Sequence, residues 1–291
     1  MAIKKLLLDT NETHGAAIIW RRFCRHKLAL AGIVLILGFL LLAALAPVLA
    51  PYNPYKISYD IQHGPEKAHL LGTDQVGRDV FSRLIYAARV SALVGVGTVA
   101  LSTALGIALG LQSGYFGGGI DMLVMRIADI FMSFPRFILI IVISSILGPG
   151  VDKVILIMGI LGWPAVARLV RGNVLSIKQM DYVKAAVSLG YKPWRIMLFH
   201  ILPNTMGPIL VQATFGIANA IITESALSFL GLGVNPPIAS WGNMLTDAQS
   251  LTTLTTKPWL WVPPGLMIFL DVLAFNFVGD GFRDALDPKS D

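Results

Sequence analysis

Six apolar runs of membrane length dominate this chain of 291 residues. A helix needs about 17–25 mostly apolar residues to cross a bilayer. Charged residues make up only 14% of the chain, against about 25% in soluble domains. The sequence therefore predicts an all-α integral membrane protein. The expected spans are Leu28–Leu49, Val90–Leu111, Met122–Leu147, Val154–Val170, Ile209–Leu232 and Trp259–Val278.

Basic residues between the runs predict the orientation. Six lysines and arginines precede the first run and six lie in the 168–205 stretch, whereas the 148–153 and 233–258 connections hold one each. Cytoplasmic loops carry the excess of such residues. We therefore expect both termini in the cytoplasm, with 50–89 and 233–258 on the other side. The 50–89 connection is a counter-signal, because it holds five bases together with four acids.

The sequence predicts that the chain forms one helical membrane domain. We divide it into an N-terminal cytoplasmic or interfacial segment (1–27), the first membrane helix (28–50), an extracytoplasmic loop (51–89), a transmembrane domain (90–280) and a cytoplasmic tail (281–291). Apolar and basic residues alternate in Ala16–Leu28, which is typical of a helix at the membrane surface. A plain basic flank would explain the same pattern.

Residues 182–205, YVKAAVSLGYKPWRIMLFHILPNT, form a polar island between two apolar runs. A short helix in this position would be held at both ends by membrane spans, so a partner that pushes on the helix would move both spans. Gly190 would permit a turn or a close approach, and Pro203 would stop the helix. A basic and apolar surface usually marks a partner site, although the residues alone also fit a helix resting on anionic lipid. The apolar face is expected to comprise Val187, Leu189, Trp194, Ile196 and Met197.

The island resembles the Glu-Ala-Ala loop signature of ATP-binding-cassette importer permeases. Lys184 and His200 replace the glutamate and isoleucine of that signature, and its other positions are held by Ala185, Ala186, Gly190, Leu202 and Pro203. Further motifs resemble the second permease subunit of dipeptide, oligopeptide and nickel importers. These motifs are His69–Arg89, Ser113–Gly118, Ser225–Gly233, Pro236-Pro237 with Trp241-Gly242, and Asn276–Pro288.

This resemblance implies the type I importer permease fold, with six transmembrane helices and a cytoplasmic coupling helix in the 182–205 island. It also implies a bacterial or archaeal inner membrane. The partners would be a second homologous permease, two ATPase subunits, an extracytoplasmic solute-binding protein and membrane lipid, with no nucleic acid. The residues expected to dock the ATPases are Lys184, Ala185, Ala186, Gly190, Lys192, Trp194, Arg195, Leu202 and Pro203.

The resemblance implies import of di- or oligopeptides, with nickel or another small solute as the alternative. The chain has no phosphate-binding G-x-x-x-x-G-K-[ST] loop. We therefore expect no enzymatic activity and no cofactor of its own, with ATP and Mg²⁺ bound by the partner subunits. A self-sufficient ion-coupled carrier is the alternative from another class, and it would need its own ion site and usually an internal repeat.

Acids inside membrane spans tend to face protein or a water-filled path. Glu224 and Asp271 are therefore expected either to line the translocation path or to contact the partner permease. Arg126 and Asp129 are three residues apart on a helix and are expected to pair inside the bundle. No metal site is expected, because all five histidines lie outside the spans and Cys24 is the only cysteine.

Overall fold

The computed structural model of the chain describes residues 20–286. Over these residues it has eight main helices and no β-strand, only an isolated bridge between Thr73 and Asp79. The helices are α1 (Lys27–Leu49), α2 (Val80–Phe116), α3 (Gly118–Ser133), α4 (Arg136–Leu147), α5 (Val151–Ile177), α6 (Asp181–Ser188), α7 (Pro193–Phe229) and α8 (Val262–Leu286). Between α7 and α8 lie the short segments Trp241–Met244, Leu245–Gln249, Leu251–Thr256 and Pro258–Leu260.

Five of the described helices, α1, α2, α5, α7 and α8, are each long and apolar enough to cross a membrane. The pair α3–α4 meets the same criteria together, although it is bent by 85°. If the pair counts as one span, the number is six, as predicted.

Several helices extend beyond the predicted spans. The helix containing the second span begins at Val80 rather than Val90, because the Asp79 side chain accepts a hydrogen bond from the backbone N–H of Ser82 at 2.8 Å and so caps the helix. Its polar first turns concealed this start from a search for apolar runs. At the other end of the chain, α8 continues to Leu286, into the predicted tail.

The bend between α3 and α4 follows from Pro135. Proline has no N–H and its ring clashes with the carbonyl four residues earlier, so a proline inside a helical stretch kinks or breaks the helix. The preceding residue is driven to an extended conformation, and Phe134 has φ −96° and ψ 145°. The predicted span Met122–Leu147 is therefore two helices, and Arg136 lies in the first turn of the second.

Glycines bring α2 and α5 into close contact, and this is the most extensive helix pair of the described chain. Gly106, Gly110 and Gly114 share one face of α2 because they are four residues apart. A methyl group on Gly110 would lie 2.6 Å from the carbonyl oxygen of Ala167 in α5. Gly106 and Gly110 thus pack two helices, as their spacing predicts.

The bundle has two distinct ends. The α6 end also holds the start of α1 and the last turns of α2 and α8, and the long-loop end carries residues 50–79 and 230–261. At the α6 end, residues 20–25 are helical, and the Phe23 ring lies 4.7 Å from that of Phe282. Phe23 therefore packs on α8 instead of facing lipid. The rest of the predicted interfacial segment, residues 16–19, lies outside the described part of the chain.

Residues 50–79 fold around the carboxylate of Asp74. Its Oδ1 accepts hydrogen bonds from the backbone N–H groups of Val76 and Arg78 at 3.0 and 2.9 Å. Its Oδ2 pairs with Arg78 Nε at 2.7 Å and lies 3.5 Å from Arg83 Nε. Arg78 and Arg83, two of the five bases in 50–89 that argue against the predicted orientation, are therefore paired with an acid in the folded chain.

Candidate functional site

Two buried side chains hold α6 against the bundle. Val183 is fully buried and Ala186 is 3% exposed, and both belong to an apolar cluster with Val174 of α5 and Ile201 of α7. Ala186, one of the two signature alanines, therefore anchors α6, whereas Ala185 is exposed. Because α6 is tied to both neighbouring helices, a force applied to it reaches both.

The outer face of α6 and the start of α7 form an exposed surface, named here the docking surface. Leu189 is 72% exposed and Trp194 is 53% exposed. Ile196, predicted for this face, is buried and points into the apolar cluster instead. The docking surface comprises Tyr182, Lys184, Ala185, Val187, Leu189, Gly190, Tyr191, Lys192, Trp194, Arg195 and Phe199.

Ring contacts order the α7 half of the docking surface. The Arg195 guanidinium lies 4.9 Å from the centre of the Tyr191 ring, and Trp194 meets Phe199 edge-on at 6.3 Å between ring centres. Together with His200 these side chains line a cleft of about 500 Å³. Partial burial raises the pKa of the Tyr182 hydroxyl on α6. The surface therefore offers aromatic side chains and positive charge.

Gly190 is required for its backbone conformation. Its φ of +74° lies in the left-handed region that disfavours other residues, and its N–H donates to the Val187 carbonyl at 2.9 Å as α6 ends. A close approach by another part of the described chain is not the reason, because a methyl group added to Gly190 would have no atom within 4 Å. The turn, one of the two predicted uses of this glycine, is the one observed.

Pro203 does not stop the helix, contrary to the prediction. The chain is helical from Pro193 to Phe229 and passes through a π turn at Met197–Ile201. The Leu202 N–H donates to the carbonyl of Met197, five residues back, and such widened turns accommodate local irregularity within a helix. Leu202 packs on the cluster that anchors α6, and Pro203 borders an apolar groove beside α8. Neither residue lies on the docking surface.

A charged clamp joins three helices close to α6. Asp121 of α3 accepts hydrogen bonds from Arg171 of α5, at 2.5 Å from Nε to Oδ1 and 2.6 Å from Nη2 to Oδ2. The Ser113 hydroxyl of α2 donates to the same carboxylate at 2.5 Å. Bidentate pairs of this kind are among the strongest in proteins. The clamp was not predicted, because its members come from three separate stretches of sequence.

The predicted pair of Arg126 and Asp129 is wrong. Asp129 accepts instead from Arg168 Nη2 of α5 at 2.6 Å, and the Asp129 and Arg168 side chains are 55% and 49% exposed. Arg126 is exposed, and within residues 20–286 it makes no ion pair. A separation of three residues permits contact along one helix, but a base on the neighbouring helix is better placed for this carboxylate. Neither predicted partner lies inside the bundle.

Glu224 is enclosed within the chain. It is fully buried in α7, and its Oε1 accepts from the Ser228 hydroxyl at 2.7 Å. The Ser228 oxygen in turn accepts from the Val234 N–H at 2.9 Å. These bonds attach the start of the long loop to α7, and the two positions predicted for Glu224, on a path or against a partner permease, remain predictions.

Asp271 of α8 is 4% exposed and borders an apolar cavity of about 150 Å³. Phe39 of α1, Ile221 of α7 and Trp241 also line this cavity. The cavity lies between α1, α2, α7 and α8. Its position agrees with a contact between helices, and the roles predicted for Asp271 remain predictions.

A polar groove of about 250 Å³ lies between α2, α4, α5 and α7. Thr98 lies midway along α2, which places the groove at mid-height in the bundle. Polar side chains at this depth usually face a bundle interior or a water-filled path, so the groove is the candidate translocation path. Its polar lining comprises Thr98, Ser102, Thr103, Arg136, Gln212, Asn219 and Thr223.

Arg136 is the charged member of the groove lining. Its Nη2 donates to the Met158 carbonyl of α5 at 3.2 Å, and it forms no ion pair among the described residues. Arginine is rare within membrane spans, where it almost always faces the bundle interior or a water-filled cavity. The sequence carried a signal for the α7 side of the groove: Gln212, Asn219 and Thr223, at helical spacing, form a polar stripe.

The two long loops meet at Asp247, to which the Gln75 side chain donates a hydrogen bond. Burial, and then the nearby Asp74, raise the pKa of the Asp247 carboxyl to about 6, while Gln75 and Arg83 partly oppose this rise. At pH values between 3.8, the ordinary pKa of this carboxyl, and about 6, Asp247 is therefore protonated in the folded chain but ionised in the unfolded chain.

Replacing Asp247 with asparagine is expected to raise stability at neutral pH. A carboxyl with a raised folded pKa destabilises the fold progressively as pH rises from about 4 to 6, and that cost is complete above pH 6. The melting temperature of Asp247→Asn in detergent should therefore exceed that of the wild type at pH 7.5, and the gap should shrink by pH 5. A gap that is the same at both pH values would contradict this electrostatic account.

The fold, the docking surface and the groove define a multi-pass membrane transport component. The family model for the binding-protein-dependent transport system inner membrane component matches residues 104–291, more than half of the chain. The chain therefore belongs to this family of ATP-binding-cassette importer permeases. Residues 16–68 match the N-terminal TM domain of oligopeptide transport permease C.

Several relatives match over nearly the whole chain. The dipeptide transport system permease protein DppC of Alkalihalophilus pseudofirmus is 43% identical over 96% of this chain and 93% of its own length. The glutathione transport system permease protein GsiD of Pectobacterium atrosepticum is 43% identical, covering 93% and 90% of the two chains. The oligopeptide transport system permease protein OppC of Bacillus subtilis is 42% identical, covering 92% and 88%.

A solved structure supports the fold. An inward-facing structure of the MetNI methionine ABC transporter matches with a TM-score of 0.57 and 17% identity, covering 70% of this chain and 97% of that one. At this identity the match concerns the fold alone, which is that of a type I importer permease.

Proposed function

We propose that this chain and a second permease together form the translocation path of an ATP-driven importer of di- and oligopeptides. The observation that carries the proposal is the docking surface: exposed apolar and basic side chains lie on a helix anchored to two membrane helices. One of the importer's two ATPase subunits would bind there, and the two ATPases would hold ATP and Mg²⁺, so this chain supplies no catalytic residue. An extracytoplasmic solute-binding protein would deliver peptide at the long-loop end.

The groove supports a path shared between two subunits. Arg136 and Asn219 are exposed on its open side in the single chain, and a second permease facing the groove would close it. Membership of the importer family argues against the ion-coupled carrier.

The orientation with the α6 end in the cytoplasm rests on the excess of lysine and arginine at that end. On a Cys24→Ser background, Ser188→Cys in α6 is expected to react with a membrane-impermeant thiol reagent only after the membrane is opened. Tyr59→Cys, at a fully exposed position in the 50–79 loop, should react in intact cells. The reverse pattern would invert the topology.

Peptide is favoured over nickel by two observations. The relatives that match almost the whole chain carry the names of dipeptide, oligopeptide and glutathione transport systems. The groove also presents the positive charge of Arg136, which repels a bare divalent cation.

The test is to express the tagged chain with its candidate partner subunits, purify the assembly and reconstitute it in liposomes with the binding protein. The ATPase subunits are expected to copurify, and vesicles with ATP should accumulate labelled alanine peptides but not nickel ions. ATP-dependent nickel uptake without peptide uptake would reverse the substrate assignment. Accumulation driven by an ion gradient in the absence of ATPases would support the carrier class instead.

A further inference from the structure

The polar groove contains a cation without a counter-ion. Within residues 20–286, Arg136 makes one hydrogen bond, to the Met158 carbonyl, although a guanidinium has five N–H donors. A methyl group on Gly162 of α5 would lie 3.1 Å from Arg136 Nη2 and 2.9 Å from Ser102 Cβ. The missing side chain at Gly162 therefore leaves room for the guanidinium to lie against α5, where it faces the groove.

The neutral groups beside Arg136 are also available for a ligand. The Thr98 side chain is 2% exposed, and its hydroxyl has no hydrogen-bond partner in the described part of the chain. Asn219 uses its Nδ2 to donate to the Phe215 carbonyl at 3.0 Å, which leaves its side-chain oxygen as an acceptor. Donors and acceptors of this kind pair with peptide N–H and C=O groups whatever the peptide side chains are.

We propose that Arg136 binds the C-terminal carboxylate of the peptide as it passes the groove. Every linear peptide with a free C-terminus carries this group ionised at neutral pH, and the planar guanidinium matches a carboxylate in a two-point contact. Thr98, Gln212 and Asn219 bind the adjacent backbone. This assignment rests on the proposed function and adds to it the chemical group that the path recognises.

The experiment uses the assembled importer in liposomes with two probes, trialanine as the free acid and trialanine as the C-terminal amide. Arg136→Gln is expected to lower ATP-dependent uptake of the free acid about tenfold, the scale of one charge-assisted hydrogen bond, while uptake of the amide changes less than twofold. Arg136→Lys should retain part of the preference for the acid. Each probe is compared between variants, so selection by the binding protein cancels.

Arg126→Gln is the matched control, because it removes an exposed arginine from α3, in the same bent pair but outside the groove. It should leave the uptake of both probes unchanged. Equal loss of acid and amide uptake in Arg136→Gln would overturn the assignment, as would loss of the second permease from the purified assembly. Either result would make Arg136 a structural or partner-binding residue. If the wild-type assembly imports neither probe, the proposed function itself fails, and this assignment fails with it.

Discussion

Replacing Leu189 with aspartate is expected to lower ATP-driven uptake by about 100-fold, the scale of losing a central contact in a protein interface. Leu189 is 72% exposed at the end of α6, so the change costs the isolated fold little. When an ATPase subunit covers the docking surface, the carboxylate must leave water inside an apolar contact, and burying a charge without a matched partner is expensive. The ATPases should therefore bind more weakly, and transport should fall with them.

Copurification of the ATPase subunits and peptide uptake by the same preparation measure this effect. Leu189→Met is the matched control, because it keeps an apolar side chain of similar volume and should retain both activities. The melting temperature of the Leu189→Asp chain alone should stay close to that of the wild type. Full uptake with normal ATPase association in Leu189→Asp would remove Leu189 from the docking surface.

Replacing Gly110 with alanine is expected to destabilise the bundle by about 1–3 kcal/mol, the usual cost of overpacking a core. The added methyl group would meet the Ala167 carbonyl oxygen at 2.6 Å and the Val170 Cβ at 2.8 Å. The nearer atom belongs to the backbone of α5, so it cannot move aside as a flexible side chain would. The two helices must separate, and the α2–α5 contact is the most extensive in the described chain.

Gly172→Ala is the matched control, because Gly172 also lies within a helix, but a methyl group there would meet no other described part of the chain within 4 Å. Alanine favours helix more than glycine does, so this variant should be neutral or slightly stabilising. Thermal unfolding in detergent and the yield of folded protein would compare the two. Equal stability of both variants would show that α2 and α5 tolerate a wider separation.

Much of the fold is predictable from the sequence, because length and apolarity alone determine which helices can cross a bilayer. The ends of helices were harder to predict where polar residues continue a helix, as in the first turns of α2 from Val80. The break at Pro135 is a local effect that the sequence allowed but did not require, since prolines such as Pro164 lie inside continuous helices.

The candidate docking surface was largely predicted because its residues are contiguous, so a single motif contains them. The groove was missed because Thr98, Arg136 and Gln212 come from three different helices and each is ordinary in its own segment. Glu224 attracted attention as a buried acid, and the structure adds that it accepts a hydrogen bond from Ser228, one turn further along the same helix. Arg168, on another helix, displaced Arg126 as the partner of Asp129.

The unbroken course of α7 from Pro193 to Phe229 has a mechanical consequence. Asn219, in the wall of the groove, is 26 residues from Pro193, which lies between Lys192 and Trp194 of the docking surface. This separation corresponds to about 39 Å along a helix axis. A rigid rod of that length, tilted by about 5° at its base, would shift the groove wall by about 3 Å. A small change of angle where an ATPase binds would therefore widen or narrow the passage by about the width of an atom.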